Sequence, residues 1–291
     1  AISFSGATHT AVLLDEKGEI LRNAILWIDK RAKLEVDTIK KHFGSRLMSI
    51  TYNQINCAWT IAHLLWLRKN ETEIWPKIAH ILSCKDYIRY RLSDQYVTDY
   101  IDASGTMLMD VDKFEWSQEL CEFIKINPSL LPPIASPFEV VGYITEQGAR
   151  ESGLLEGTPI VTGSSDTVVE MLGAGAILPG EFTVKLATAG RICITSEKPF
   201  RDSKIVVYRH LIKDKWYPGT GTNSCASSYR WFRDTFCYGE NQLSKRFGLN
   251  TYKIMDLEAT KSPPGSNGLL FHPYLLGESS PYYDPELRGD F

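Results

Sequence analysis

The stretch that most constrains this chain runs from Pro159 to Gly190. An apolar pair, Ile160 and Val161, leads into Gly163-Ser164-Ser165, and Asp166 then opens a segment of helical character reaching about Ala174. Small-residue turns follow, and a second apolar run ends in Ala187-Thr188-Ala189-Gly190. A carboxylate at a strand-to-helix junction can reach a ligand above the strand ends, where open α/β sheets bind their substrates. A small Thr-containing turn after a strand can offer backbone N–H groups to an anion. One base and one phosphate cradle, about twenty residues apart, are the minimum parts of a phosphoryl-transfer site. Asp166 also reads as an ordinary N-cap, since Asp is a preferred capping residue. Ala187–Gly190 also reads as a plain glycine turn. Local chemistry leaves both pairs of readings open.

Composition narrows the class. A chain of 291 residues is long enough for two domains. Its 43% hydrophobic and 23% charged residues are ordinary globular values. The formal charge of −3 argues against a nucleic-acid surface, which needs a basic patch. Cys57, Cys84, Cys121, Cys193, Cys225 and Cys237 are scattered without a CxxC pair and read as reduced thiols. No apolar stretch approaches the roughly 18 residues of a membrane span. These features make the cytoplasm the economical location, with no membrane partner.

Periodicity predicts strands at Ile2–Ser5, Ala11–Leu14 and Ile20–Trp27, the last two joined by a hairpin turn at Glu16-Lys17-Gly18. Helices are expected from about Arg31 to Phe43 and over Cys57–Asn70, where Trp59, Ala62, His63, Trp66 and Leu67 recur at core spacing. Trp75–Leu92 and Ser117–Ile126 also read as helical. Pro128, Pro132, Pro133 and Pro137 mark a long connection. Val140–Ile144 and Thr158–Thr162 read as strands flanking a Thr145–Ser152 helix. A seam is expected near Ala176–Gly180. Beyond it, Phe182–Leu186, Arg191–Thr195 and Lys204–Leu211 alternate like an antiparallel sheet, followed by a helix from about Ser224 to Tyr238. The sum is an α/β chain with mixed sheets.

Six segments, in order, carry a resemblance. They are Ser5–Asp15, Ala24–Ala32, Lys85–Leu92 with Asp102–Thr106, Gly163–Asp166, Leu186–Gly190, and Phe271–Glu278 with Ser280, Pro281 and Pro285. Together they resemble the FGGY carbohydrate kinases, and within them the xylulokinase-like sugar kinases, over nearly the whole chain. The resemblance implies two ribonuclease-H-like domains of the actin and hexokinase type around an interdomain cleft. The divisions expected are 1–176 for an N-terminal sugar-binding domain and 177–291 for a partial C-terminal domain on the phosphate side. An Asp-Gly-Thr phosphate loop is expected before Ala1, and a Gly-rich adenine loop after Phe291.

The implied chemistry is transfer of the γ-phosphoryl group of ATP, with Mg²⁺, to a primary hydroxyl of an open-chain sugar or polyol, D-xylulose first. A hydroxyl is a weak nucleophile at neutral pH, so a positioned carboxylate must take its proton. By carry-over, Asp166 is that base, and it also holds Mg²⁺ through water. Thr188 and Gly190 are the phosphate donors. Thr8, His9, Trp27 and Thr167 are the acceptor contacts, although His9 and Trp27 read as core residues too. Lys85 and Asp86 fit a family signature and also read as structural. The chain departs from the family in Ser165 and Thr167 around the base, and in Ala187 and Ala189 of the phosphate loop. His63 stands near where a Lys is common. A catalytically inactive relative that binds a sugar as a sensor is the alternative. The partner is a small molecule; the resemblance extends to a homodimer, although nothing in the sequence specifies an interface.

Overall fold

The computed structural model describes every residue except Ser279 and Pro285. Contacts divide the chain into two units, Ala1–Glu181 with Ile194–Pro218, and Phe182–Cys193 with Gly219–Phe291. The elements begin with β1 (Ser5–Gly6), β2 (Ala11–Leu14), α1 (Lys33–Phe43), α2 (Ser45–Thr51), α3 (Thr60–Asn70), β3 (His80–Ser83) and α4 (Cys84–Ser93). Next come β4 (Thr98–Asp99), α5 (Tyr100–Gly105), β5 (Met109–Asp110), β6 (Glu115–Trp116), α6 (Gln118–Ile124) and β7 (Ile134–Ala135). Then follow β8 (Val140–Tyr143), α7 (Glu146–Ser152), β9 (Pro159–Val161), β10 (Ser164–Ser165) and α8 (Asp166–Gly173). The remainder holds β11 (Phe182–Leu186), β12 (Gly190–Ile194), β13 (Val206–Arg209), β14 (Trp216–Thr222), α9 (Ala226–Phe236), α10 (Tyr238–Phe247) and α11 (Thr251–Ala259).

In the first unit the strand pairs are short and of both senses. β2 and β3 are antiparallel from Ala11↔Ser83 to Leu14↔His80, β8 and β9 are antiparallel, and β1 runs parallel to β10. Val12, Leu14 and Leu82 bury together under Tyr87, Tyr90 and Tyr96. A neighbouring cluster joins Leu92, Ile144 and Ile160. A third holds Tyr52, Ala103, Met109, Val111, Val207 and Trp216. Helix α3 buries Ile61, Ala62, His63, Leu64, Leu65 and Leu67, residues from all around its circumference, as a helix inside a core does. His63 is one of these core side chains, and desolvation lowers its pKa.

Three expectations change. Trp75–Leu92 is not one helix: a 3₁₀ turn at Trp75–Lys77 is followed by β3 and then α4. Four apolar-rich residues do not by themselves distinguish strand from helix, and the pairing with β2 decides. Ile20–Trp27 is not a strand. Ile20 makes one bridge to Leu14, and the chain then turns away with Leu26, Trp27 and Ile28 exposed. The hairpin turn itself forms, with Gly18 at φ 77°. At the start of the chain, Ile2 makes only an isolated bridge to Ile160, and the paired strand is Ser5–Gly6.

In the second unit β12 pairs antiparallel with β14 from Gly190↔Thr222 to Cys193↔Gly219. Helices α10 and α11, outside the sequence expectations, pack with α9. Tyr229 Oη donates to Asp256 at 2.7 Å, and Arg233 Nη1 to Tyr252 Oη at 2.9 Å. Trp231 stacks on Phe271 with centroids 5.9 Å apart. Among the described residues, no helix is long and apolar enough to cross a membrane.

Candidate functional site

Asp166 is the first residue of α8, and Ser165 is its N-cap, in extended conformation without a capping side-chain bond. The carboxylate is therefore no N-cap. It stands in the first helical turn, where the helix dipole favours negative charge. Its Oδ1 accepts from the Thr167 backbone N–H at 2.7 Å and from Thr167 Oγ1 at 3.3 Å. The Thr167 hydroxyl thus orients the carboxylate. Asp166 is partly exposed, as a group that must meet a ligand has to be.

The segment before it is held tightly. Gly163 has φ 74°, and a Cβ placed there would lie 2.0 Å from the Phe4 carbonyl oxygen, so only glycine fits. Thr162 O accepts from Arg89 Nη1 at 2.9 Å, and Ser164 Oγ donates to Asp99 Oδ1 at 2.9 Å. The pairing Ser5↔Ser164 and Gly6↔Ser165 sets the Gly6–His9 loop alongside.

Behind this segment lies a buried charge cluster. Lys85 Nζ is 2.5 Å from Asp86, 2.9 Å from Asp99 and 3.2 Å from Asp102, and Arg89 Nη1 is 2.7 Å from Asp86. Burial alone would discharge the Lys85 ammonium, but Asp99, Asp86 and Asp102 outweigh it and raise its pKa. Desolvation likewise opposes ionisation of Asp86, but Lys85 and Arg89 prevail and hold its carboxyl below the usual range. Asp102 goes the other way. Desolvation, reinforced by Asp99 and Asp86 against the pull of Lys85, pushes it well above the usual carboxylate range. Three acids and two bases would leave a buried net charge of −1, and a proton on Asp102 removes it. Lys85 and Asp86 are buried, and their ion pairs fasten α4, β4 and α5 under the strand that delivers Asp166.

His9 stands on a left-handed backbone, φ 64°. Its Nδ1 lies 2.6 Å from Gly105 O, its Nε2 2.8 Å from Tyr208 Oη, and its ring stands edge-on to Trp59 at 4.6 Å. Thr8 packs over Gly105, where a Cβ would come within 3.4 Å of its own. A cavity of about 20 Å³ beside His9, bounded also by Ser83, Thr98 and Asp102, is the size of one water and too small for a sugar. Trp27 is 49% exposed and makes no ring contact among the described residues, so it is not a core residue. Tyr208 escaped the sequence reading: it sits in an expected strand, and no local pattern marks it as the partner of a residue far upstream.

In the second unit the Ala187–Gly190 loop joins β11 to β12. Its carbonyls are engaged: Thr188 O accepts from Cys225 N at 2.9 Å and Ser227 Oγ at 2.8 Å, and Ala187 O from Ala226 N at 2.8 Å. These bonds satisfy amides at the start of α9 that the helix itself leaves unpaired. Thr188 is exposed. A Cβ on Gly190 would come 3.0 Å from Thr222 Cγ2 and 3.1 Å from Cys225 Cβ, so this glycine gives room for a close turn. Buried Glu278 accepts from Thr222 Oγ1 at 2.6 Å and Asn223 N at 3.0 Å, bracing the turn that carries Cys225. Pro285, part of the same C-terminal motif, lies outside the described residues.

Comparison with known proteins agrees with this geometry. Residues 1–173 match the N-terminal domain of the FGGY family of carbohydrate kinases. The chain is 35% identical to the xylulose kinase of Bacillus subtilis (strain 168), over 99% of this chain and 56% of that protein. It is 33% identical to the gluconokinase of the same organism, over 100% of this chain and 57% of that protein. Among solved structures, gluconate kinase from Lactobacillus acidophilus superposes with a TM-score of 0.90 at 30% identity, covering 100% of this chain and 58% of that one. The chain thus spans a little over half the length of the relatives it matches, and it shares the α/β fold of these sugar kinases.

Proposed function

We propose that this chain, which belongs to the FGGY family of carbohydrate kinases, carries the acceptor site and general base of an ATP-dependent sugar kinase. The observation that carries the reading is Asp166. It is a partly exposed carboxylate at a strand-to-helix junction, oriented through one oxygen by Thr167. Its other oxygen is the one that takes the proton of a primary hydroxyl as that oxygen attacks phosphorus and the bond to ADP breaks. Thr8 and His9 border the proposed acceptor site, with Trp27 as an exposed apolar wall. Thr188 and Gly190 offer backbone donors to the phosphoryl oxygens.

Mg²⁺ keeps several waters and takes one or two carboxylates plus substrate phosphates. Asp166 alone meets that demand, acting through water, and no cage of three or more ligating side chains exists among the described residues. When bound, the ion neutralises charge on the phosphates. D-xylulose is the first acceptor proposed and gluconate the second, since both activities occur among the relatives. With six free cysteines, the protein suits the cytoplasm.

The test is a coupled ATP-consumption assay of the full-length protein with pentuloses, hexuloses, polyols and sugar acids. Turnover with one acceptor, reduced about 10²–10⁴-fold in Asp166→Ala while calorimetry still detects acceptor binding, is expected. ATP consumption that no sugar stimulates, with sugar binding intact, would move the protein to the inactive sensor reading.

A further inference from the structure

We propose that the cavity of about 20 Å³ between α5, the start of β2 and the end of β3 is a hydration site, holding one water bonded to Asp102 Oδ1. Thr10, Thr60, Ser83, Thr98 and Thr106 line it together with Asp102. Asp102 is the group that needs the ligand. Its side chain is 2% exposed, and its Oδ2 lies 3.2 Å from Lys85 Nζ and 3.5 Å from Ser83 Oγ. Its Oδ1 is buried and has no hydrogen-bond partner among the described residues. A carboxyl oxygen shut away from both solvent and protein partners is costly and rare in native folds.

Size and chemistry suit a water. The volume admits one, and a buried water needs roughly two to four polar partners. Hydroxyls supply the rest. Thr10 Oγ1 reaches Thr8 O only at 3.5 Å, too long for a strong bond. Thr106 Oγ1 donates to Ala103 O at 2.6 Å and accepts from Leu108 N at 3.0 Å, which leaves it one lone pair. Desolvation, with Asp99 and Asp86, keeps a proton on Asp102. Because Oδ2 accepts from the Lys85 ammonium, that proton is on Oδ1, and a buried O–H must find an acceptor. The water is that acceptor, and its own hydrogens go to the oxygens of Thr10 and Thr106. A monovalent cation fits poorly, since it would meet the Lys85 ammonium at the same carboxyl. The water thereby ties α5 and the charge cluster to Thr10, the residue next after His9.

The test is a crystal structure of the full-length protein at a resolution that shows ordered water, with a second crystal soaked in rubidium chloride. One water peak is expected about 2.5–3.0 Å from Asp102 Oδ1 and from a threonine Oγ1. A rubidium anomalous signal in the cavity, no density there, or Asp102 Oδ1 bonded to a protein atom overturns the inference. In solution, magnetic relaxation dispersion of the solvent counts long-lived buried waters. Asp102→Asn keeps a donor at the position and is expected to keep the count. Asp102→Leu, close in volume and without polar atoms, is expected to lower it by one. That variant still leaves Lys85 and Arg89 facing Asp86 and Asp99, so the cluster stays balanced in charge. Equal counts in wild type and Asp102→Leu overturn the inference. If Asp102→Leu does not fold, the wild-type crystals decide.

Discussion

The unit holding Asp166 and His9 and the unit holding Thr188 and Gly190 secure their functional segments by different means. In the first, Trp59, Leu14, Ile39 and Ile61 are fully buried, and Asp166 follows a strand locked by Arg89, Asp99 and a glycine that nothing else can replace. In the second, Cys193, Cys237 and Met255 are the buried apolar side chains among the described residues, while Phe182, Val184 and Leu186 on β11 are 63%, 51% and 76% exposed. There the phosphate-loop candidate is held mainly by main-chain bonds to α9 and by the Glu278 brace. A proton acceptor must be held at one spot, so dense packing and buried charge suit it. A loop proposed to offer amides to an anion gains from having its carbonyls occupied, and the main-chain bonds achieve that without a large core.

The strongest attempt to break this contrast is Lys85→Met. It leaves the carboxylates of Asp86 and Asp99 buried without the Lys85 cation they share, and a loss of about 3–5 kcal/mol is expected in denaturant unfolding. A loss below about 1 kcal/mol would mean the cluster does not hold the first unit. Gly163→Ala comes next, because its Cβ meets the Phe4 backbone at a positive φ. At least about 2 kcal/mol of stability is expected to go, with turnover falling as Asp166 shifts. Gly190→Ala has no such φ and meets side chains, so about 1 kcal/mol is expected. Equal costs at the two glycines would erase the distinction drawn between the units.

Asp102→Asn separates charge from packing. With its folded pKa raised, Asp102 contributes stability that is fully present below its unfolded pKa of about 3.9 and lost as pH rises towards the folded value. Wild type should thus lose up to about 1.4 kcal/mol per pH unit from this group across that window, and the Asn variant should not. The variant's melting temperature relative to wild type should accordingly climb as pH is raised from 4 towards 7. A difference independent of pH would show that Asp102 is ionised in the fold. Asp86 has the opposite sign, its contribution being lost as pH falls through its depressed folded pKa. The smallest effect is expected for Val184→Thr on the exposed face of β11, within about 0.5 kcal/mol.

Much of this was legible in the chain itself. The periods of Lys33–Phe43 and Phe182–Leu186, the glycine before Asp166 and the Thr188 turn are local patterns, and local sterics and amphipathicity decide them. The proposals of Asp166 as the base, and of Thr8 and His9 as contacts, came from resemblance of ordered motifs. What the tertiary structure alone decided involves partners distant in sequence. The His80–Ser83 run becomes a strand because Ala11–Leu14 is there to pair with it, and Ile20–Trp27 does not because it finds no continuing partner. Lys85, which the sequence marks only as part of a family signature, becomes the hub of a buried cluster when Asp99 and Asp102 are brought beneath it. Tyr208 reaches His9 across 199 positions, a contact for which no sequence period exists. Sequence determines which local conformations a segment prefers; burial and charge pairing, both non-local, choose among them.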